Sequence, residues 1–483
     1  MSAGFRRAKI VSTIGPASWD RDVLHQLIEA GADAVRLNFT HISRERATPV
    51  VRRVADVARQ VGRPVAIIGD LGGPKIRVGD LPGGRLEIEP EETYWFFPED
   101  EPPPDGSPPE RRIPTTYPEL SEEVEPGTRI LLDDGHFEFV VREVSEDGTP
   151  WASALALSVG VLKSQKGINL PGVRVGAPAL TEKDLADIEF SVEQLLDYLA
   201  LSFVRRPEDL ETTRQKMDKG SLLIAKIEKS QALENLAEIL PLSDAVMVAR
   251  GDLGVELPFE EVPMIQKRII RFAQERARPV ITATQMLESM IQSPHPTRAE
   301  VSDVANALLD GTDALMLSAE TAIGGYPVEA VRVMDRVIRR IEHERLGRTG
   351  RAGKQVEGVS PIQQTTSGAI AASSLIAVER IGSPFIVTFT QSGYTARIVS
   401  AQRPSVPILA ITDQWRTYNQ MALVWGVHPV LFRGGVSYSS MLDKAREEAL
   451  ELGMGEPGQR FVVTAGVPFH VPGTTNMMRV EEL

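Results

Sequence analysis

The sequence predicts an α/β chain: a (β/α)8 (TIM) barrel with an inserted small β-barrel lid domain and a C-terminal open α/β domain. Three observations predict it. Eight short β-branched runs alternate with helical stretches, which is the pattern of a parallel sheet closed by crossover helices. One interval, between the third and fourth runs, is too long for a loop without structure of its own. Beyond a polar, glycine-rich stretch the alternation of strand and helix resumes.

The runs are KIVSTIG (9–15), AVRLNF (34–39), PVAIIGD (64–70), YLALSF (198–203), LLIAKIE (222–228), DAVMVARGD (244–252), PVITATQ (279–285) and DALMLSAE (313–320). Each reads as a strand buried on both faces. The first intervening helix is expected to begin near Ser18, to carry Val23, Leu24, Leu27 and Ile28 on one stripe, and to stop at Gly31. The long interval holds strand-like sequence and many prolines, including PEDEPPPDGSPPERR (98–112). It leaves the third strand at the C-terminal mouth of the barrel, where active sites form and a lid is useful. The segment ERLGRTGRAGKQVEG (344–358) reads as a linker. After it, SPFIVTFT, VPILAIT, HPVLF, QRFVVTAG and TTNMMRV read as strands of an open parallel domain. The expected division is therefore 1–78 and 177–347 for the barrel, 79–176 for the lid and 355–483 for the C-terminal domain.

A chain of 483 residues exceeds one core, consistent with several domains. With 42% hydrophobic and 25% charged residues, its composition is that of a globular protein. No apolar run approaches the roughly 20 residues that cross a bilayer, so no membrane partner is expected. The beginning MSAGFRRAKIV lacks a signal peptide's apolar region. Cysteine is absent, which excludes disulfides and thiolate zinc and suits a cytoplasmic location. A net charge of −13 argues against a nucleic-acid surface, and the seven histidines show no metal-ligand spacing.

In a barrel, polar residues at the C-terminal ends of strands are the catalytic candidates. Here they are Arg36, Asn38, Asp70, Ser202, Lys226, Glu228, Asp252, Thr284, Ser318 and Glu320. Strand alternation puts Lys226 and Glu228 on one face. The fifth and sixth strands should lie about 4.8 Å apart, so Glu228 and Asp252 can reach one ion. Two carboxylates plus waters suit Mg2+ or Mn2+. Lys226 and Arg36 add positive charge beside it, suited to a phosphorylated or carboxylate substrate. Structural ion pairs are the plainer reading for any one of these residues. For several aimed at one mouth that reading is poor, because burying so much charge unpaired is costly.

These residues stand in stretches that carry a family resemblance: VSTIGPAS, AGADAVRLNFTH, GPKIRVG, KGINLPG, LTEKD, LIAKIEKSQALENL, VARGDLGVELP, ATQMLESM, PTRAEVSDVANALLDGTDALMLSAETAIGGYP and TTNMMRV. In this order, over nearly the whole chain, they resemble the pyruvate kinases. The resemblance implies phosphoryl transfer from phosphoenolpyruvate to ADP through a metal-stabilised enolate that is then protonated. It implies that Glu228 and Asp252 ligate Mg2+ or Mn2+, that Lys226 neutralises the phosphoryl group in flight, and that Arg36 binds phosphate. Gly251, Asp252 and Thr284 then hold the substrate carboxylate, with Ser202 in the substrate-binding set. Thr284, with a water relay that includes Ser318, is the candidate for protonating the enolate. Arg77 and Lys183 correspond to nucleotide-phosphate contacts at the two hinges of the lid, with Asn38 and His41 also on the nucleotide side. A plain surface or core histidine competes with that role for His41.

Several positions depart from the family. Ligands of a monovalent cation correspond to Asn38, Thr40, Asp70 and the backbone of Leu71; Thr40 replaces Ser and keeps a hydroxyl. Members that need K+ carry Glu where this chain has Lys75, and Thr where it has Leu71. Lys75 is expected to act as a tethered substitute cation, making the enzyme K+-independent. Where many members have an acid before LTEKD this chain has Gly176, which alters one lid contact to nucleotide. The loop TQSGYT, with Thr390, Ser392, Gly393 and Thr395, opens a helix in the C-terminal domain and corresponds to a sugar-phosphate effector loop. The ordinary reading of that loop is a βα turn rich in Ser, Thr and Gly. The family also implies a homotetramer and allosteric control. Two further hypotheses are a pyruvate-enolate lyase or aldolase using the same metal pair, and a silent effector-binding protein. Arg77, Lys183 and the lid favour the kinase, and intact Lys226, Glu228, Asp252 and Thr284 disfavour a silent protein. RGD at 250–252 reads as a chance tripeptide, the methionines of ATQMLESM as packing, and Arg298 as equally suited to a subunit interface.

Overall fold

The structure is a computed structural model that describes residues 5–145, 148–348, 361–434, 437–469 and 473–483. Eight parallel strands close into a barrel: β1 (Lys9–Thr13), β2 (Ala34–Asn38), β3 (Ala66–Asp70), β4 (Tyr198–Leu201), β5 (Leu222–Ile227), β6 (Ala245–Ala249), β7 (Val280–Ala283) and β8 (Ala314–Leu317). Each pairs with its neighbours in chain order, and β8 closes on β1 with Lys9 opposite Ala314. Inward residues Val11, Ala34, Ile68, Tyr198, Ile224, Met247, Ile281 and Met316 fill the interior. The alternate residues, such as Ile10, Leu37, Leu199 and Val246, face the surrounding helices. Burial on both faces is why these runs lack a polar alternation.

The strands are shorter than the runs, because the chain turns at their polar ends. β6 stops at Ala249 and a helix, Arg250–Glu256, starts at once. Asp252 therefore lies on a first helical turn, not on a strand end as expected. The first helix is Arg21–Ala30, later than the expected start near Ser18. Asp20 caps it by accepting from the Asp22 N–H at 2.9 Å, whereas the Ser18 hydroxyl accepts from Gly15 N. Leu24, Leu27 and Ile28 are buried, and Gly31 ends the helix at φ 121°.

The lid lies between β3 and β4. Its six-stranded sheet runs, in spatial order, Ile168–Asn169, Arg129–Leu132, Phe137–Val144, Ala152–Ala156, Thr93–Pro98 and Arg112–Thr115. A two-stranded ribbon, Arg85–Ile88 with Gly160–Lys163, completes it. Both enclose one core, in which Phe139 meets Tyr94 and Phe96 edge-on at 5.6 and 5.3 Å.

The C-terminal sheet has strands β9 (Ile386–Phe389), β10 (Ile408–Thr412), β11 (Val427–Leu431), β12 (Arg460–Ala465) and β13 (Met477–Glu482), in the order β11-β10-β9-β12-β13. The first four are parallel, as expected. β13 instead pairs antiparallel with β12, and the described residues between them, 466–469 and 473–476, form no crossover helix. The helix Pro327–Arg348 runs through the start of the expected linker; 349–358 of that segment lies outside the described residues. No described helix is long and apolar enough to cross a membrane.

The C-terminal domain seals the N-terminal opening of the barrel. Ala422 and Leu423 pack among the inward side chains of the strands. The Lys9 ammonium donates to Val427 O at 2.8 Å, and the Tyr198 hydroxyl to Gln420 O at 2.8 Å. Ion pairs Arg403–Asp313 (2.8 Å) and Arg416–Asp218 tie the rim. The opposite, C-terminal mouth is left for chemistry.

Candidate active site

The ends of β2, β3, β4 and β5 bring one charged cluster together. The Asp70 carboxylate, at the end of β3, receives Arg36 Nε at 2.5 Å and lies 3.3 Å from Lys226 Nζ. Lys226 Nζ also lies 2.9 Å from Glu228 Oε1 and donates to Ser202 Oγ at 2.6 Å. The Ser202 hydroxyl donates onward to Leu71 O at 2.7 Å. The other Glu228 oxygen accepts from Phe203 N at 2.8 Å, so that edge of the carboxylate is anchored to the backbone. Arg36 Nη1 donates to Thr13 Oγ1 at 3.1 Å.

Burial opposes every charge here, and the neighbours decide the outcome. Burial alone would lower the Lys226 ammonium, but Asp70 and Glu228 outweigh it and hold it well above its ordinary value. Burial works against Asp70 too, yet Arg36 and Lys226 keep its carboxyl below the usual range. At Asp252 the compensation falls short. Burial and the charge of Glu228 push it up to about 6, against the opposing pull of Lys226 and Lys75. A carboxylate raised by a carboxylate neighbour in this way suits an added cation. Among the described residues no group of three or more His, Cys, Asp or Glu converges, so a cation held by Glu228 and Asp252 would complete its shell from substrate and water.

Beside this cluster, the residues after β7 adopt a left-handed turn. Thr284 has φ 68° and Gln285 φ 54°. A β-branched residue in that region is strained, by about 1–3 kcal/mol. Its hydroxyl accepts from Gly251 N at 2.8 Å and donates to Ala283 O at 2.6 Å. Gly251, Asp252 and Thr284 thus form one corner at the start of the helix Arg250–Glu256, where backbone N–H groups favour an anion.

Two recesses flank the cluster. A cavity of about 520 Å3 is lined by Arg36, Asn38, His41 and Ser318 on its polar side, and by Pro16, Trp19 and Ile323 on its apolar side. His41 is lowered from its ordinary value, first by burial and then by Arg36, Lys75 and Arg77. A cleft of about 550 Å3 between barrel and lid is lined by Thr40, Lys75, Arg77, Thr181 and Lys183. Arg77 Nη1 donates to Gln165 O at 2.8 Å, and Lys183 Nζ to Phe39 O at 2.7 Å and Asp187 Oδ2 at 2.5 Å.

The expected monovalent-cation region is only partly assembled. Asn38 Oδ1 accepts from Thr40 N at 3.1 Å, and the Leu71 carbonyl already receives Ser202. Asp70 is paired with Arg36 and Lys226. Lys75 is exposed and makes no ion pair with Asp70; its side chain lies against Gly167 of the lid. Its charge nevertheless reaches His41 and Asp252. At Gly176 the backbone N–H donates to Glu123 Oε1 at 2.6 Å, and that oxygen also accepts from the Tyr117 hydroxyl. A Cβ there would come within 2.8 Å of Glu123 Oε1, which is how a glycine suits this position.

Comparison with known proteins bears on this geometry. The pattern described as "Pyruvate kinase, barrel domain" matches residues 5–331, and that described as "Pyruvate kinase, alpha/beta domain" matches residues 368–481. A pyruvate kinase of Methylorubrum extorquens is 40% identical over 475 residues, 98% of this chain and 97% of its own. One from Agrobacterium vitis is 41% identical over 481 residues, covering 99% and 98%. One from Geobacillus stearothermophilus is 42% identical over 479 residues, covering 98% of this chain and 80% of its own. The chain belongs to the pyruvate kinase family.

Within this pyruvate kinase fold, sequence reasoning missed three side chains that the site uses. Arg250 and Arg205 hold backbone turns at the mouth, and Thr13 holds Arg36. Arg250 stands in plain sight inside RGD, but only a folded turn supplies the carbonyls that give it a purpose. Met286 and Met290 are fully buried, as packing predicts. In the loop expected to take an effector, Gly393 has φ 74° and caps the helix Tyr394–Ala401. The Thr395 hydroxyl shares a hydrogen bond of 2.8 Å with Thr475, and Ser392 O accepts from Arg397. Thr390 is buried at the end of β9, with its N–H on Ile411 O.

Proposed function

We propose that the mouth of the barrel transfers the phosphoryl group of phosphoenolpyruvate to ADP, giving pyruvate and ATP. The observation that carries the reading is the cluster of Arg36, Asp70, Lys226 and Glu228 set beside the Thr284–Gly251 corner. Arg36 and Lys226 bracket the phosphoryl group and offset its charge as the P–O bond to the enol oxygen breaks and an ADP oxygen takes its place. Gly251 and Asp252 N–H groups, with the Thr284 hydroxyl, hold the substrate carboxylate, and Ser202 orients Lys226. Glu228 and Asp252 would hold Mg2+ or Mn2+, which when bound acts as a Lewis acid toward substrate oxygens. The enolate left behind takes a proton at its methylene carbon, delivered through Thr284 and a water on the Ser318 side. Arg77 and Lys183, with Asn38 and His41, receive the nucleotide phosphates, and lid closure excludes water.

The division 1–78, 79–176, 177–347 and 355–483 belongs to this reading; a lid cluster running from Ile76 to Ala177 supports it to within a few residues, and a C-terminal cluster running from Phe385 to Ala465 lies inside its last part. Control through the Thr390–Thr395 loop, a homotetrameric assembly and a cytoplasmic location belong to the same reading. So does K+-independence. The observation behind it is that Arg36 and Lys226 already form ion pairs with Asp70 and that Lys75 adds charge to the cleft.

ATP formation from phosphoenolpyruvate, ADP and Mg2+ tests the reaction; well-folded protein that forms none overturns it. Pyruvate or aldehyde release without ADP would point to a lyase instead. Exchanging K+ for a bulky organic cation should leave the rate unchanged within about twofold, since a tethered ammonium needs no bound ion. A steep rise on adding K+ would refute that part alone.

A further inference from the structure

Thr284 is gripped from two sides by consecutive residues. Gly251 N–H donates to its hydroxyl oxygen, and the Arg250 guanidinium donates from Nη2 to its carbonyl at 2.6 Å. Arg250 Nε also donates to Ala283 O at 3.2 Å, and Nη2 lies 2.9 Å from Met286 Sδ. The far edge of the fork, Nη1, is fixed by Asp303 at 2.7 Å, from the helix Arg298–Asp310. Only the planar, multiply donating guanidinium can meet all four acceptors at once. What it holds is a turn with Thr284 at φ 68° and Gln285 at φ 54°, which a β-branched residue would leave if released.

We infer that Arg250 is a positioning residue for the protonation step: it holds Thr284 in its left-handed conformation and so fixes the hydroxyl at the Gly251 corner, where the proton relay to the enolate uses it. The inference rests on the proposed role of Thr284. The Arg250 hydrogen bonds all go to this turn and to Asp303, so it acts through the turn. Releasing the turn lets Thr284 relax toward ordinary strand angles, which takes Oγ1 away from Gly251 N–H. The proton must then come from unaligned water. Phosphoryl transfer, which depends on Arg36 and Lys226, keeps its own geometry.

The test is a double-substitution cycle on the full chain. Arg250→Met should lower kcat by about 100-fold, the scale of a misplaced proton donor, with KM for ADP changed by less than about twofold. Divalent-metal-dependent exchange of pyruvate methyl hydrogens with deuterated solvent, followed by NMR, should fall by the same factor. Because the two side chains act as one unit, Arg250→Met added to Thr284→Ala should cost no more than Thr284→Ala alone. Guanidinium added to Arg250→Ala should restore part of the exchange. If Arg250→Met does not fold, Arg250→Lys carries the same comparison: it keeps the charge facing Asp303 but loses the fork, and a loss of about tenfold, non-additive with Thr284→Ala, is expected. Losses that multiply with Thr284→Ala, or variants within about twofold of the parent in kcat and exchange, would overturn the inference. A parent enzyme that makes no ATP would overturn the reaction itself, a separate outcome.

Discussion

A lysine ammonium buried at the mouth of a barrel stays charged only if carboxylates face it, and Lys226 faces two, Asp70 and Glu228. Replacing Lys226 by Met removes the cation proposed to face the phosphoryl group, so kcat should fall by on the order of 10³-fold. It also leaves Glu228 Oε1 without its partner, and buried charge left unpaired is destabilising. Thermal melting should therefore drop, and Mg2+ should recover part of the loss. Steady-state assays and melting curves with and without Mg2+ check both halves, and near-normal turnover would refute the role. Arg36, Lys226 and Glu228 were legible in the sequence because each ends a run too apolar to tolerate a charge without purpose. Asp252 was legible as a residue but not as a helical one, since nothing in VARGD marks where strand gives way to helix. The left-handed turn at Thr284 was illegible, because propensity argues against a β-branched residue there and tertiary contacts override it. Where the Lys75 ammonium rests was illegible for a related reason. A flexible ammonium on a hinge follows the lid, and here it lies against Gly167.

The lid is an element whose use depends on its two hinges. The outgoing hinge turns at Gly73, φ 67°, where a Cβ would meet the Phe203 ring at 2.6 Å. The returning hinge is pinned from the barrel: Arg205 donates to Val175 O and, at 2.7 Å, to Ala177 O, while Asp209 balances its charge. Arg205→Ala should loosen that segment, speeding amide exchange around residues 175–178. KM for ADP should rise by roughly 3- to 10-fold with a smaller change in kcat, because the nucleotide would then have to order the hinge itself. Unchanged exchange there would show that the hinge is held by other contacts. The existence of the lid could be read from its length and prolines. Its pairing could not: Arg112–Thr115 joins Thr93–Pro98 in parallel across a proline-rich loop, and no short-range signal encodes that register.

At the scale of the molecule, the N-terminal rim of the barrel is a pH-sensitive joint. Asp197 sits there fully buried, its carboxylate accepting from Ile67 N and its carbonyl from the Gln420 side chain. Burial pushes it up to about 7, despite the Ile67 hydrogen bond and the nearby Arg416. The folded state therefore binds this proton more tightly than the unfolded chain. Its contribution is most favourable below the ordinary carboxylate value, declines as pH rises from about 4 to about 7, and is flat above; each tenfold difference in proton affinity is worth about 1.4 kcal/mol. Asp197→Asn keeps an acceptor for Ile67 N and removes the titration. It should flatten the stability slope between pH 4 and 7 and raise stability above pH 7 by on the order of a few kcal/mol. Denaturant melts across that range measure it, and an unchanged slope would reject the assignment. None of this joint was legible in the sequence, because its partners, such as Gln420 and Gly220, stand 200 residues apart.

That joint also limits how the chain can be recombined. Ala422 and Leu423 belong by sequence to the C-terminal domain, yet by packing they are the last stones in the floor of the barrel, seated with Val11, Ala34 and Ile68. A barrel cut free of its neighbour would open a hydrophobic shaft to water. A chimera that takes its C-terminal domain from another member of the family would inherit a foreign keystone. The natural seam for transplantation is therefore not the linker but the fit of two apolar side chains, and a graft succeeds when they are exchanged together with the strands that receive them.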